Sequence, residues 1–166
     1  MQPTIFADTD SNPAVWIRVE GKGTFENSAG LKAFTDSMME GGRREFVVDL
    51  KNCPAMDSTF MGTLAGIAVR LRDRGNGSLW VLNRNERNSE LLEGLGLHTL
   101  FAEATPPQSE TVEVELPLAP KADRAVTRET MIEAHEMCVQ VNPANAAKFK
   151  DVLEHLKESA KREPKK

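Results

Sequence analysis

Apolar and polar positions in the first part of the chain follow two different periods. Two short runs near the start, residues 4–7 and 14–19, are rich in β-branched and apolar residues, and turn-forming residues separate them. In the second run, Val15, Ile17 and Val19 alternate with more polar neighbours. This period of two predicts a half-buried strand.

Helical spacing begins after the second run. Leu31, Phe34 and Met38 are spaced i, i+3 and i+7, and glycines at 41 and 42 follow as a stop signal. The pattern then alternates between short apolar runs and longer amphipathic segments. The pattern further predicts strands at 45–50, 78–82 and 111–115, and helices at 58–74 and 86–95. The predicted buried face of the helix at 58–74 consists of Met61, Leu64, Ala65, Ala68 and Leu71. That of the helix at 86–95 consists of Leu91, Leu92 and Leu95. The order β-β-α-β-α-β-α-β predicts a layered α/β domain with helices packed on a sheet.

The last part of the chain has a different pattern. Two prolines within residues 116–120 favour an extended linker, so we divide the chain into a domain at 1–118 and a tail at 119–166. The tail carries two helical stripes, Met131, Ile132, His135, Cys138 and Val139 in the first and Phe149, Val152, Leu153 and Leu156 in the second. Asn142 and Pro143 predict an N-cap and first position for the second helix. The two helices form a hairpin with apolar faces together, or lay both stripes on another surface.

Composition narrows the function classes. The 166 residues carry a net charge of −4, which argues against nucleic-acid binding. The tail has 10 Lys and Arg against 8 Asp and Glu, a net of +2, which leaves 11 against 17, a net of −6, for the first 118 residues. Opposite charge would favour attraction between tail and domain.

Few residues suit catalysis or metal binding. Two Cys and three His, scattered along the chain, favour no metal site and no cofactor, and we expect a protein that is not an enzyme. Asp49 and Asp57 have no third acidic ligand nearby in sequence, which favours structural roles. The absence of a basic and apolar leader and of a long apolar run predicts a cytoplasmic protein without a membrane span.

The most informative stretch is residues 46–64. It predicts a buried strand, a short loop and a helix whose first turn contains Asp57, Ser58 and Thr59. These residue types are preferred as N-caps, and a helix amino end also favours negative charge. From spacing alone, capping is the simplest interpretation, and it is compatible with a regulatory role for Ser58.

This stretch resembles the signature of the STAS domain, the fold of bacterial anti-sigma factor antagonists. Those domains have a strand ending in Asp-Leu, followed by a Met-Asp-Ser-Ser/Thr-Gly-Leu/Met-Gly motif that enters a helix. The matching residues are Asp49-Leu50, Met56-Asp57-Ser58-Thr59, Met61 and Gly62, and residues 21–25, 82–83, 92–97 and 100–101 agree as well. The resemblance covers about residues 3–116 and implies a mixed central sheet with helices packed on it, to which the tail adds helices.

The resemblance also implies a switch in bacterial transcription regulation. In the family, the serine after the motif aspartate is phosphorylated by the partner anti-sigma factor, a serine kinase, and a phosphatase resets it. That serine corresponds to Ser58, with Thr59 and Thr63 as fallback acceptors. The implied partner-binding residues are Asp57, Ser58, Thr59, Phe60 and Met61.

One position departs from the family pattern. Phe60 stands where the family has glycine, and it either enlarges the docking surface if exposed or packs the helix if buried.

Two other functions stay open. A scaffold or adaptor of the same fold would bind partners without a switch, and a STAS domain can also bind a small molecule or nucleotide. The tail stripes further leave open a homo-oligomer formed through the C-terminal helices.

Overall fold

The computed structural model describes residues 4–8, 14–107, 114–116 and 124–162, with the backbone alone for residues 4–8 and 114–116. The strands are β1 (Thr4–Asp8), β2 (Ala14–Glu20), β3 (Glu45–Asn52), β4 (Ser78–Leu82) and β5 (Val114–Leu116). The helices are α1 (Phe25–Glu40), α2 (Ser58–Asp73), α3 (Glu86–Gly94), α4 (Arg124–Val141) and α5 (Asn145–Arg162), with a 3-10 turn at His98–Leu100. The predicted order of strands and helices is confirmed for the described residues.

The five strands form one mixed sheet in the order β4-β3-β2-β1-β5. β2, β3 and β4 run parallel, while β1 is antiparallel to both of its neighbours, β2 and β5. The register places Ile17, Val48 and Val81 in one row across the three parallel strands, and all three are buried. Since parallel strands end at the same edge, the loops that follow β3 and β4 lie side by side.

β2 buries one face, as its period-two pattern predicts. Val15, Ile17 and Val19 are fully buried, whereas Trp16 and Arg18 on the opposite face are half-buried. For the last strand, the prediction of 111–115 overlaps β5, which covers Val114–Leu116, and residues 111–113 lie outside the described residues.

α2 is buried around its whole circumference for three turns. The predicted face is buried as expected, but Thr59, Gly62, Thr63 and Gly66 on other faces are buried too. The sheet covers one side, and α4 packs along another. The segment from residue 58 to residue 69 contains no charged side chain, which is typical of a helix enclosed by protein.

The C-terminal helices form a hairpin that packs on the α/β layers. Cys138 of α4 belongs to the same hydrophobic core as the sheet, and Phe149 of α5 packs against that core. The hairpin is therefore the observed arrangement of the two predicted stripes, and it also contacts α1 and α2. No helix among the described residues is long and apolar enough to cross a membrane.

Two details of the hairpin differ from the sequence-based expectation. α5 begins at Asn145, two residues after the predicted first position at Pro143, although the Asn142 side chain accepts from the N–H of Ala144 (3.2 Å) as the predicted N-cap should. In α4 the most buried side chains are Thr130, Ala134, His135 and Cys138, whereas Met131, Ile132 and Val139 are half-buried. The interface is thus narrower and more polar than the predicted apolar stripe.

Polar contacts fix the turn end of the hairpin on α3. The buried Asn145 side chain donates from Nδ2 to the carbonyl oxygens of Leu95 (2.8 Å) and Cys138 (2.9 Å). Lys148 Nζ donates to the carbonyl of Gly94 (2.9 Å). The bonds to Leu95 and Gly94 satisfy carbonyls at the carboxyl end of α3, where the helix itself supplies no partner.

The carboxylate of Asp57 joins the amino ends of two helices. As the N-cap of α2, its Oδ1 accepts from the N–H of Phe60 (2.8 Å), and its Oδ2 accepts from the N–H of Phe25 (2.9 Å), the first residue of α1. The Asp57 backbone N–H donates to the carbonyl of Gly23 (2.9 Å). One side chain therefore sets the position of α2 relative to α1 and places Ser58 at the start of α2.

We expect Asp57→Ala to lower the free energy of unfolding by about 2 kcal/mol, because a cap and a second charge-assisted hydrogen bond are both lost. Asp57→Asn keeps one acceptor but presents an N–H group to a second donor, and its loss should be smaller. Urea unfolding measures both. Asp151→Ala, at an exposed position of α5, is the control and should change stability by less than about 0.5 kcal/mol. Equal losses for Asp57→Ala and Asp151→Ala would contradict the bridging role.

Candidate functional site at the amino end of α2

Ser58 lies where the loop after β3 enters α2. Asp57 and Ser58 are both half-buried, at the edge of the sheet where the loops after β3 and β4 lie. The amino end of α2 directs unpaired backbone N–H groups and the positive end of the helix dipole toward this edge. Beside it, Phe25, which was not among the predicted site residues, exposes 43% of its surface.

Phe60, which stands where the family pattern has glycine, is fully buried. Of the two alternatives, an enlarged docking surface or packing of the helix, the structure therefore shows packing. The Phe60 ring lies against Gly23, where an added Cβ would be only 2.5 Å from Phe60 Cδ1. The absence of a side chain at Gly23 therefore leaves room for the ring, and Phe60 packs the helix. Met61 is also buried, so neither side chain offers surface for docking in this conformation.

The two fallback hydroxyls are less accessible than Ser58. Thr59 exposes 2% of its surface to solvent, and Thr63 exposes 5%. Thr63 Oγ1 also donates to the carbonyl of Thr59 (2.8 Å). Of the three residues, Ser58 is half-buried and the two threonines are buried.

Ser58 has a partner that lies 77 residues away in the chain. Its Oγ is 2.8 Å from Nε2 of His135, on α4. His135 Nδ1 is 2.6 Å from the carbonyl oxygen of Met131, which can only accept, so Nδ1 carries hydrogen. In the neutral imidazole, Nε2 is then the acceptor, and Ser58 donates its hydroxyl hydrogen to it.

His135 is buried and closely packed. Its ring meets Phe149 of α5 edge to face, with 4.8 Å between ring centroids. The sequence placed His135 on an apolar stripe but did not connect it with Ser58. A signal was present: a helix without charge from residue 58 to 69 needs a cover, and the tail is amphipathic.

The pair of Ser58 and His135 differs from a hydrolytic dyad. The group behind the imidazole is the backbone carbonyl of Met131 and not a carboxylate that would stabilise an imidazolium. Both partners lie in a helix–helix contact, and the nearby cavity does not include either among its lining residues. The pair thus joins two helices at the start of α2.

That cavity, of about 360 Å³, lies between α1, α2 and α4. Two ion pairs occupy its walls, one between Lys32 and Glu133 and one between Arg70 Nε and Asp36 Oδ1 (2.8 Å). The ion pairs engage four of the five charged side chains in the lining, and Nη2 of Arg70 is buried without a hydrogen-bond partner among the described residues.

Asp49 has a structural role at the same sheet edge. Its Oδ1 accepts from the N–H of Lys51 (2.9 Å) and from Nδ2 of Asn83 (2.8 Å), which links the ends of β3 and β4. Within the described ranges, no group of three or more His, Cys, Asp or Glu side chains is placed to hold a metal ion.

The two cysteines are free and buried. Burial raises the pKa of the Cys53 thiol above its usual value, against the lowering effect of backbone hydrogen bonds from Gly23 and Ala55. Burial raises the pKa of Cys138 to about 11. Both thiols are therefore protonated at neutral pH, and neither has the character of a nucleophile.

Comparison with known proteins supports the motif-based interpretation. Residues 7–114 match the family model of the STAS domain, whereas no curated protein matches the sequence significantly. Among solved structures, a proposed anti-sigma factor antagonist from Thermotoga maritima aligns with a TM-score of 0.53 at 18% identity, over 57% of this chain and 80% of that one. The phosphorylated form of the Bacillus cell fate determinant SpoIIAA aligns with a TM-score of 0.50 at 19% identity, over 61% of this chain and 91% of that one.

These identities are low, so the likeness to the two solved structures establishes the fold alone. The family match is independent of them and spans more than half of the sequence, including β2 to β4 and the loop that carries Asp57 and Ser58. The chain belongs to the STAS domain family.

Proposed function

We propose that this STAS domain is an anti-sigma factor antagonist that binds a kinase-type anti-sigma factor and is released by phosphorylation of Ser58. The observation that carries the proposal is the place of Ser58, a half-buried hydroxyl at the amino end of α2 that follows the acidic cap in the family motif. One similar structure is that of a phosphorylated protein, SpoIIAA. The protein acts in this proposal as a binding module, and the chemistry at Ser58 is performed by the partner.

The proposed docking surface is the edge around the α2 amino end. Asp57 and Ser58 contribute side chains there, and Phe25 adds an exposed apolar contact directly beside Asp57. Thr59, Phe60 and Met61, which belong to the proposed partner-binding motif, support this edge from below because their side chains are buried.

The electrostatics of this edge suit a switch. Transfer of the γ-phosphoryl group from ATP to Ser58 Oγ, with release of ADP and of the hydroxyl proton, adds about −1.5 to −2 charges. The amino end of α2 accommodates this charge within the protein. In the centre of a complex, the same charge beside Asp57 is repelled and must lose water, which weakens binding. A phosphatase that removes the group restores the binding form.

The first prediction concerns the modified residue. Incubated with Mg²⁺, ATP and each anti-sigma factor serine kinase encoded in the same genome, the full chain should gain one phosphate, and fragmentation mass spectrometry should assign it to Ser58. Ser58→Ala should abolish the modification, whereas Ser37→Ala, at an exposed serine on α1, should leave it unchanged. A phosphate on Thr59 or Thr63, or on none of the three residues, would contradict the proposed switch.

The second prediction concerns affinity. Ser58→Glu introduces a negative charge at the same place and should weaken binding to the kinase that modifies the wild-type chain by about 30-fold or more, which corresponds to about 2 kcal/mol. Calorimetric titration of the kinase with each full-length variant measures this. Ser37→Glu adds the same charge on α1 and should bind like wild type. Equal affinities of the Ser58→Glu and Ser37→Glu variants would contradict release by charge.

A non-switching adaptor is the second candidate function. It is favoured by the hydrogen bond from Ser58 to His135, because that bond gives Ser58 a structural role in the contact between α2 and α4. An adaptor would bind its partner with the same affinity whether residue 58 is Ser or Glu.

A further inference from the structure

The hairpin lies on the very face of α2 that begins with Ser58. Ser58, Gly62 and Gly66 recur every four residues and therefore share one side of α2. On that side Ser58 contacts His135 of α4, and Gly62 contacts Ala134, the residue that precedes His135. The contact of α2 with α4 thus starts at the proposed acceptor and continues along the helix.

The two helices come into backbone contact at Gly62. A Cβ added to Gly62 would lie 2.2 Å from the carbonyl oxygen of Ala134, and 2.6 Å from its carbonyl carbon. No other chain can enter between α2 and α4 at this point while the hairpin is seated. A partner that needs this side of α2 must first displace α4.

At Ser58 the obstruction is the side chain of His135. Its Nε2 lies 2.8 Å from Oγ, so the imidazole occupies one side of the hydroxyl, and a partner that docks on that side must displace it. The His135 ring is itself held by Met131 and by Phe149 of α5, so it does not simply rotate away from Ser58.

We propose that the hairpin of α4 and α5 is a built-in competitor that masks the Ser58 side of α2 and must open before a protein partner can dock there. The inference rests on the proposed function for the nature of the partner, an anti-sigma factor kinase. The masking itself is a property of this chain and can be tested without the partner.

The contacts of the hairpin suit a reversible cover. Its buried side chains are Thr130, Ala134, His135, Cys138, Asn145 and Leu156. Around them Met137, Val141 and Phe149 are partly buried against the core, so opening costs free energy, but it exposes less apolar surface than disrupting the sheet and its helices would. Local opening of one element costs a lower free energy than unfolding of the whole domain.

The test measures how accessible residue 58 is in the full-length chain. Ser58→Cys introduces a thiol at the masked position, and its rate of reaction with a maleimide is followed by peptide mass spectrometry, which separates it from the buried Cys53 and Cys138. Adding Ala134→Glu places a larger, charged side chain against Gly62 and should release α4. We expect labelling at residue 58 to accelerate about tenfold or more, since a closely packed contact must otherwise open first.

The matched control is Ala147→Glu, the same substitution at an exposed position of α5, which should leave the labelling rate unchanged. Hydrogen exchange measured on the same proteins should show faster exchange in α4 with Ala134→Glu alone. If Ala134→Glu prevents a cooperative urea transition, Asn145→Ala replaces it, because that variant removes two bonds that fix the hairpin. Faster exchange in α4 with an unchanged labelling rate at residue 58 would overturn the masking.

A kinase arm separates this inference from the proposed function. With residue 58 as serine, Ala134→Glu should raise the initial rate of phosphorylation about tenfold relative to wild type and to Ala147→Glu, because the open form is more populated. Phosphorylation at the same rate in all three proteins would overturn competition by the hairpin while the proposed function stands. Unmasking in the labelling arm without phosphate on residue 58 in any protein would overturn the switch while the masking stands.

Discussion

The arrangement of the molecule depends on the burial of α2 on opposite sides. The helix has no charged side chain from residue 58 to residue 69, so the face turned away from the sheet also requires a cover. The hairpin provides it, and the glycines on that face allow α4 to approach to backbone contact at Gly62. Because α2 is apolar on both sides, it packs on the sheet and is also covered by α4. The candidate site lies at the start of α2, where the sheet edge adjoins the contact with α4.

Local structure and the candidate function use the same residues near Ser58. Asp57 is a helix cap in the ordinary sense, and it also accepts from the first residue of α1, so the motif residue fixes the geometry of the edge. Phe60 replaces the glycine of the family pattern, and Gly23 on the neighbouring segment leaves the space that its ring fills. The departure from the motif is thus accommodated in the core and leaves the edge at Asp57 and Ser58 intact.

Net charge does not predict the polarity of each contact between the domain and the tail. The sequence has a net of −6 in the first 118 residues and +2 in the tail, yet one ion pair among the described residues joins Lys32 of the domain to Glu133 of α4. Its polarity is opposite to that of the net charges. Individual contacts, such as Asn145 on the Leu95 carbonyl, fix the hairpin, because charge interactions at an exposed surface are weak and screened.

The sequence by itself determined the strands, the helices and the family, because periods of two and 3.6 are local properties and the motif around Asp57 is contiguous. It also determined that Ser58 begins a helix, since capping is a matter of neighbouring residues. Only the tertiary structure decided that Phe60 is buried and that His135 bonds to Ser58 across 77 residues. Such contacts depend on how separate amphipathic faces are placed against one another, and the amphipathic pattern of the tail is compatible with several placements.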